Sequence, residues 1–350
     1  MESSKLYPVF QHCRKKVICC FILCLSSSAA ALAEQNGAPA AGSADTRAFM
    51  QSMIEQHEFD ATQLQAVMEQ AKFNQDVLNA IQRPWEARPW YQYYPIFLTE
   101  QRLLRGLQFW SQHAASLAKA EQIYGVPASI IVAIIGVETN YGQHMGQYPV
   151  LDALYTLGFY YPPRQDFFRK ELAEYLLLSR EEGFTPGETM GSYAGAMGLG
   201  QFISSSYRHY AIDFDGDGVR DLLSNPVDAI GSVANYFKAS RWQAGGVVAV
   251  PAQVARHLDT EPWLQGRNLQ LNHSVAELAA AGIRFEVDVP PHTPARLFAF
   301  QQKEHIEYWV GLPNFYSITR YNHSPLYAMA VYQLSLQLEQ HFLSEPSSVD

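Results

Sequence analysis

Glu138 closes a run of apolar residues, IIVAIIGVE at 130–138. An unpaired carboxylate is costly to take out of water, so it either meets a cation at a helix end or keeps a proton. A carboxyl held neutral near pH 7 is what protonation of a leaving oxygen requires. A second stretch, SYAGAMGLGQF at 192–202, sets glycines and alanines around Met197. Glycines let a backbone approach a ligand closely, and Ser192 and Gln201 can donate to and accept from a sugar amide; the competing reading is a tightly packed turn. In a third, DFDGDGVRD at 213–221, Asp213, Asp215 and Asp217 hold the first, third and fifth places of an EF-hand-type loop, and Gly218 the sixth. Val219 offers its carbonyl and Asp221 stands at the ninth place. The glutamate expected at the twelfth is replaced by Ser224, and Asp228 at the sixteenth can close a longer loop. Carboxylates this close repel one another unless a cation sits between them, which predicts a metal site, calcium first, over a solvated acidic turn. The histidines lack the spacing of zinc ligands. A fourth stretch, YSITRYNHSPLYAMAV at 316–331, gathers Tyr321, Asn322 and Tyr327.

The elements that must position these groups are mostly helical. From Phe49 onward, FMQSMIEQHEF, ATQLQAVMEQAKF and QDVLNAI repeat apolar residues at three- and four-residue spacing. Prolines at 84, 89 and 95 interrupt that pattern. Thr99 reads as the N-cap of one long helix ending at Tyr124, with Gly125 as its stop. Pro127 opens the next helix, which is apolar on every side, carries Glu138 in its last turns and stops by Gly142. Further helices are predicted near 147–158, 164–182, 204–210, 226–240 and 324–342. RLFAFQQ, IEYWVGL and FYSITRY alternate like short strands and predict a β region near 283–321. The fold class is therefore mainly α (α+β), with a small antiparallel β region.

Composition narrows the function. The 350 residues are 48% hydrophobic and 17% charged, enough for one large core or two to three smaller ones. Aromatic residues make up 13%; they serve core packing or the flat faces of sugars. Arg14, Lys15 and Lys16, the apolar VICCFILCL and the small residues ending at Ala33 have the layout of a secretory signal peptide over 1–33. All four cysteines (Cys13, Cys19, Cys20, Cys24) fall in that leader, which leaves no thiol chemistry for the rest. Residues 34–45 are small and polar, a flexible lead-in. The net charge is −9, and the leader holds four basic residues and one acid, so the remainder is more acidic still. That balance gives nucleic acid no footprint.

Taken in order, GVETNYG, SYAGAMGLGQF, DFDGDGVRD…NPVDAIGSVANYF and ITRYNHSPLYAMAV resemble the lytic murein transglycosylase B family of peptidoglycan-cleaving enzymes, over roughly 46–345. The resemblance implies a lysozyme-like helical core with an EF-hand-like loop at about 126–242. An α-domain at about 46–125 would precede it, and a small β region with a closing helix at about 243–345 would follow. It implies Glu138 as the single acid and base. Ser192, Gln201, Tyr236, Tyr321, Asn322, Tyr327 and Arg164 would line the groove. Asp213, Asp215, Asp217, Val219 and Asp228 would hold a structural calcium, with no organic cofactor. Peptidoglycan glycan strands would be the substrate, cleaved between N-acetylmuramic acid and N-acetylglucosamine with a 1,6-anhydro product. Cell-wall synthesis or remodelling proteins would be partners. The family's better-known members are lipoproteins of the outer membrane, but this leader lacks small residues directly before a cysteine, which predicts a soluble periplasmic form that associates with the wall. Relatives often carry serine or asparagine at the Asp215 place. They also carry two arginines and a tyrosine where this chain has Pro163, Arg164 and Phe167. A lysozyme-type hydrolase and a non-catalytic, calcium-stabilised wall-binding protein are the alternatives.

Overall fold

The computed structural model describes residues 44–82, 88–264 and 269–344. The expected leader, most of the lead-in and Pro84 lie outside those residues. The chain begins with helices α1 (Ala44–His57), α2 (Ala61–Met68), α3 (Gln75–Ile81), the single turn α4 (Trp90–Tyr93), α5 (Glu100–Gln112) and α6 (Ala114–Tyr124). Asp60, Asn74 and Thr99 cap α2, α3 and α5 by accepting backbone N–H groups. The long helix expected over 99–124 is two helices. His113, at φ −117° and ψ 24°, leaves the helical region between them. The break lets α5 pack on the closing helix of the chain while α6 packs on a different neighbour.

Next come α7 (Ala128–Thr139), β1 (Tyr148–Pro149), α8 (Val150–Tyr160), α9 (Gln165–Glu182), β2 (Met190–Gly191), α10 (Ser204–Tyr210) and α11 (Pro226–Ala239). Every residue of α7 except Glu138 is buried, as its unbroken apolar pattern predicts. The first strand pairs with the second as a two-stranded antiparallel ladder. The last third holds β3 (Ala249–Ala252), α12 (Glu261–Leu264), β4 (His273–Ser274), α13 (Val275–Ala280), β5 (Pro294–Gln301), β6 (Ile306–Gly311), α14 (Pro313–Tyr321) and α15 (Pro325–Ser344). Its antiparallel sheet has the order β3-β6-β5-β4, with Val310 opposite both Val250 and Leu297. A small core of Leu278, Ile283, Ala295, Leu297, Val310 and Leu312 lies against this sheet, apart from the main helical core.

FYSITRY, expected as a strand, is helix α14. Pro313 sits at its start with φ preset for a helix. Its half-exposed residues Pro313, Tyr316 and Arg320 recur at three- and four-residue spacing, while Phe315 and Ile318 are buried. Phe315 packs on Phe298 of β5 with ring centroids 4.7 Å apart. The aromatic and β-branched composition mimicked a strand, and the proline with the tertiary contact decided the outcome.

α7 is the axis of the molecule. It is surrounded by α5, α6, α11 and α15. Its C-terminal end, and with it Glu138, meets the 192–202 loop and the start of α15.

Candidate active site

Glu138 lies one residue before the end of α7 and is partly exposed, in a cavity of about 320 Å³ lined by Tyr93, Ile96, Phe97, Val137, Asn322 and Tyr327. Among the described residues no ion pair reaches it. The Tyr327 hydroxyl, itself buried, donates to Glu138 Oε1 at 2.5 Å. Removal from water pushes the Glu138 carboxyl up to about 7, and the Tyr327 bond, which favours the charged form, limits that rise. Of the two readings of this residue, the paired structural charge is therefore not the one observed. The carboxyl is poised near neutral pH, with Oε1 held by Tyr327.

A second cavity, about 410 Å³, is lined by Arg164, Phe167, Gln201, Tyr236, Tyr321 and His323, among others. Tyr321 links it to the acid, because the Glu138 charge helps raise the Tyr321 hydroxyl well above its ordinary value after burial has done most of that. The Tyr321 hydroxyl donates to Gly200 O at 2.6 Å and that of Tyr236 to Arg320 O at 2.5 Å. The two rings pack edge-on with centroids 4.8 Å apart, and Tyr321 also stacks on Phe237. Gln201 has φ 49°, and its Nε2 donates to Met145 O at 3.1 Å and to Gly198 O at 3.0 Å. Its Oε1 remains an acceptor. The Arg164 guanidinium lies over the Phe167 ring, 4.3 Å from the centroid.

The structure thus brings Gln201, Tyr236, Tyr321 and Arg164 together beside one cavity, and Asn322 and Tyr327 beside the other. Ser192 is placed differently. Its Oγ accepts from Ala194 N at 3.2 Å and Ala196 N at 3.1 Å, so it braces the Gly-rich turn and keeps only its hydroxyl proton to offer. The sequence reading missed Tyr93, Ile96 and Phe97, one wall of the Glu138 cavity. Their signal was the aromatic WYQYYPIF stretch, read only as a break between helices.

Asp213, Asp215, Asp217 and Asp228 each offer a carboxylate oxygen, all within 4.8 Å of one another. Gly216 and Gly218, at φ 85° and 96°, make the turn that folds the loop back. Asp213 accepts from Gly218 N at 2.8 Å, Gly216 N at 2.7 Å and Asp217 N at 3.1 Å, which holds its carboxyl below the usual range, the Gly218 bond foremost. Asp228 is fully buried, and loss of water raises its carboxyl despite bonds from Phe214 N and Asp221 N. Four oxygen donors around a glycine turn fit a hard cation with oxygen preference, as calcium is. The Val219 side chain is exposed at the loop's edge, and its N–H donates to Asp217 Oδ1. Asp221 accepts from Leu223 N, Ser224 N and Ser224 Oγ, so it caps the following turn.

A family model described as the transglycosylase SLT domain matches residues 42–336. The membrane-bound lytic murein transglycosylase B of Escherichia coli K12 is 44% identical over 310 residues, covering 86% of this chain and 84% of that protein. The soluble lytic transglycosylase SltB1 of Pseudomonas aeruginosa superposes with a TM-score of 0.80 at 49% identity, over 84% of this chain and 97% of that chain. Escherichia coli Slt35 in complex with calcium gives a TM-score of 0.78 at 43% identity, over 88% of this chain and 95% of that one.

Proposed function

Given that the chain belongs to the transglycosylase SLT-domain family and is a peptidoglycan lytic transglycosylase, we propose that Glu138 serves as its only acid and base. The observation that carries this is a carboxyl, poised near 7, that no ion pair reaches among the described residues, on an aromatic cavity with no second carboxylate among its described lining residues. Ordinary glycosidases need two carboxyl groups, one of them to activate water or to attack the sugar. Asp152 accepts from Lys72 N at 2.8 Å and Glu171 from Ser205 N and Oγ, and neither lines the Glu138 cavity.

Protonated Glu138 gives its proton to the oxygen between N-acetylmuramic acid and N-acetylglucosamine, and the C1–O bond breaks. The sugar's own N-acetyl oxygen meets the positive charge at C1. Glu138, now a carboxylate, takes the proton of the C6 hydroxyl, whose oxygen closes on C1 as the 1,6-anhydro ring. An intramolecular nucleophile has a high effective concentration, which replaces the missing second residue. Tyr236 and Tyr321 give the sugars flat faces, Gln201 Oε1 and Asn322 accept from or donate to them, and Arg164 faces the peptide-bearing side. Ser192 contributes its hydroxyl proton or acts through the turn alone. The 213–228 loop holds calcium for stability, as the calcium complex of Slt35 supports. Residues of about 46–125 would form the α-domain, about 126–242 the lysozyme-like core, and about 243–345 the β region with its closing helix. Cleavage of the leader would leave the enzyme in the periplasm beside its substrate.

Mass analysis of digested peptidoglycan tests the reaction. Transglycosylation leaves 1,6-anhydromuramic ends, one water lighter than hydrolytic ends. Reducing muramic ends as the main product would favour a lysozyme-type hydrolase.

A further inference from the structure

Thr139, the residue after Glu138, is buried, with its hydroxyl at the meeting of three segments. Oγ1 lies 3.1 Å from Ile135 O in α7 and 3.0 Å from Leu199 O in the Gly-rich loop, and it accepts from Gly142 N at 3.0 Å. Its single proton is shared between the two carbonyls. The turn it closes runs through three successive left-handed residues, Asn140, Tyr141 and Gly142, at φ 51°, 60° and 85°. Two of these carry a Cβ that disfavours that conformation. The loop residues that follow Leu199 are the ones that reach the groove. Gly200 O accepts from Tyr321, and Gln201 is bonded to Met145 O. On the far side, Leu199 N donates to Leu222 O at 2.9 Å, which fixes the loop from behind.

We propose that Thr139 is a positioning residue for the reaction. Its hydroxyl clamps the end of the helix carrying the acid to the loop carrying the sugar grip. Glu138, Gln201 and Tyr321 then hold one fixed spacing. This rests on the reading of Glu138 as the acid. A helix end closed by a disfavoured turn is where the backbone most readily gives, and an error of about 1 Å between acid and bound sugar can cost on the order of 100-fold in rate. Without the hydroxyl, Leu199 O and Gly142 N lose a buried partner and the two segments separate.

The test compares Thr139→Val, which keeps the shape and removes the hydroxyl, with Thr139→Ser, which keeps the hydroxyl. Turnover is measured per folded molecule, well below each variant's Tm. For Thr139→Val, kcat is expected to fall at least about tenfold with KM within about twofold. The alkaline limb of its pH profile moves to lower pH, as the loosened Glu138 carboxyl regains water. Thr139→Ser recovers most of kcat. If Thr139→Val does not fold, Thr139→Ala carries the same comparison. Unchanged kcat and pH profile in a variant whose Tm has dropped would make Thr139 a purely structural residue and overturn the proposal. So would a Thr139→Ser variant as slow as the hydroxyl-free one. Glu138→Gln is the control: if it stays active, the reading of the acid fails; if it is inactive while Thr139→Val is normal, only the clamp fails.

Discussion

A carboxyl raised from 4.5 to about 7 by burial destabilises the fold wherever it must ionise. In the unfolded chain Glu138 loses its proton near 4.5; in the folded chain it keeps it until about 7. Between those values the folded state binds more protons, so this residue's contribution to stability falls as pH rises and levels off above 7. The full shift corresponds to roughly 3 kcal/mol, and water at the cavity mouth brings that nearer to about 2. Glu138→Gln removes the group that must ionise and keeps an acceptor for Tyr327. It is therefore expected to raise Tm at pH 8 and to leave it almost unchanged at pH 4, while turnover drops at least about 100-fold. Thermal melts at both pH values with a glycan-cleavage assay check this. A Tm gain of equal size at pH 4 would mean that burial of charge is not the cause. That Glu138 is unusual was legible in the sequence, because a carboxyl after IIVAIIGV must either meet a cation or keep its proton; which of the two holds was not legible from that stretch alone. Nor was its Tyr327 bond, since the two residues are 189 positions apart and only the folded chain joins them. Ser192 was open to two readings, a ligand group or part of a tightly packed turn, and its Oγ is engaged by the Ala194 and Ala196 N–H groups of that turn, a contact that the sequence does not display.

At the scale of elements, α7 could be read with its boundaries nearly right. An all-apolar helix has one stable place, the centre of the bundle, and Pro127 marks its start. The expected single helix at 99–124 failed because a kink at His113 costs little when each half gains its own packing partner. The FYSITRY strand failed because short aromatic runs fit either period. Nor was the α5–α7 contact legible. Gly106 and Gly136 face each other across the Tyr141 ring. A Cβ at Gly106 would lie 2.3 Å from the Tyr141 hydroxyl oxygen, and one at Gly136 would lie 2.4 Å from it. Tyr141 follows the α7 turn and folds back between the two helices, so the glycines make room for the residue that closes the acid's turn. Gly136→Ala gains about 1 kcal/mol of helix propensity. It also forces a buried ring to move, which typically costs about 1–3 kcal/mol. The ring cannot leave without opening the turn, so the expected outcome is a net loss of up to about 2 kcal/mol by urea denaturation, together with reduced turnover. A variant more stable than the parent would show that the ring slides freely.

For the whole molecule, the acidic loop at 213–228 is tied to the rest before any cation arrives. Lys119 Nζ donates to Phe214 O at 2.8 Å and sits 4.2 Å from the Phe214 ring centroid. Arg220 pairs with Glu182 and Glu181 of α9, and Arg208 of α10 pairs with Glu174 and Glu181. This scaffold holds Asp213, Asp215, Asp217 and Asp228 close together despite their mutual repulsion. Calcium would bind the folded loop and find no comparable site in the unfolded chain. It would raise stability by RT ln(1 + [L]/Kd), roughly 2.7 kcal/mol at about 100 times Kd. Calcium is therefore expected to raise Tm, and Asp217→Ala to abolish the rise. Magnesium would do less, because it gives up its water reluctantly. Turnover at low temperature is expected to persist in chelator, since moving a proton from Glu138 needs no metal. Melting and turnover, each measured with calcium and with chelator, separate the cases. An unchanged Tm removes the metal site. Immediate loss of turnover in protein that is still folded would mean that the ion acts on the reaction and not on the fold alone.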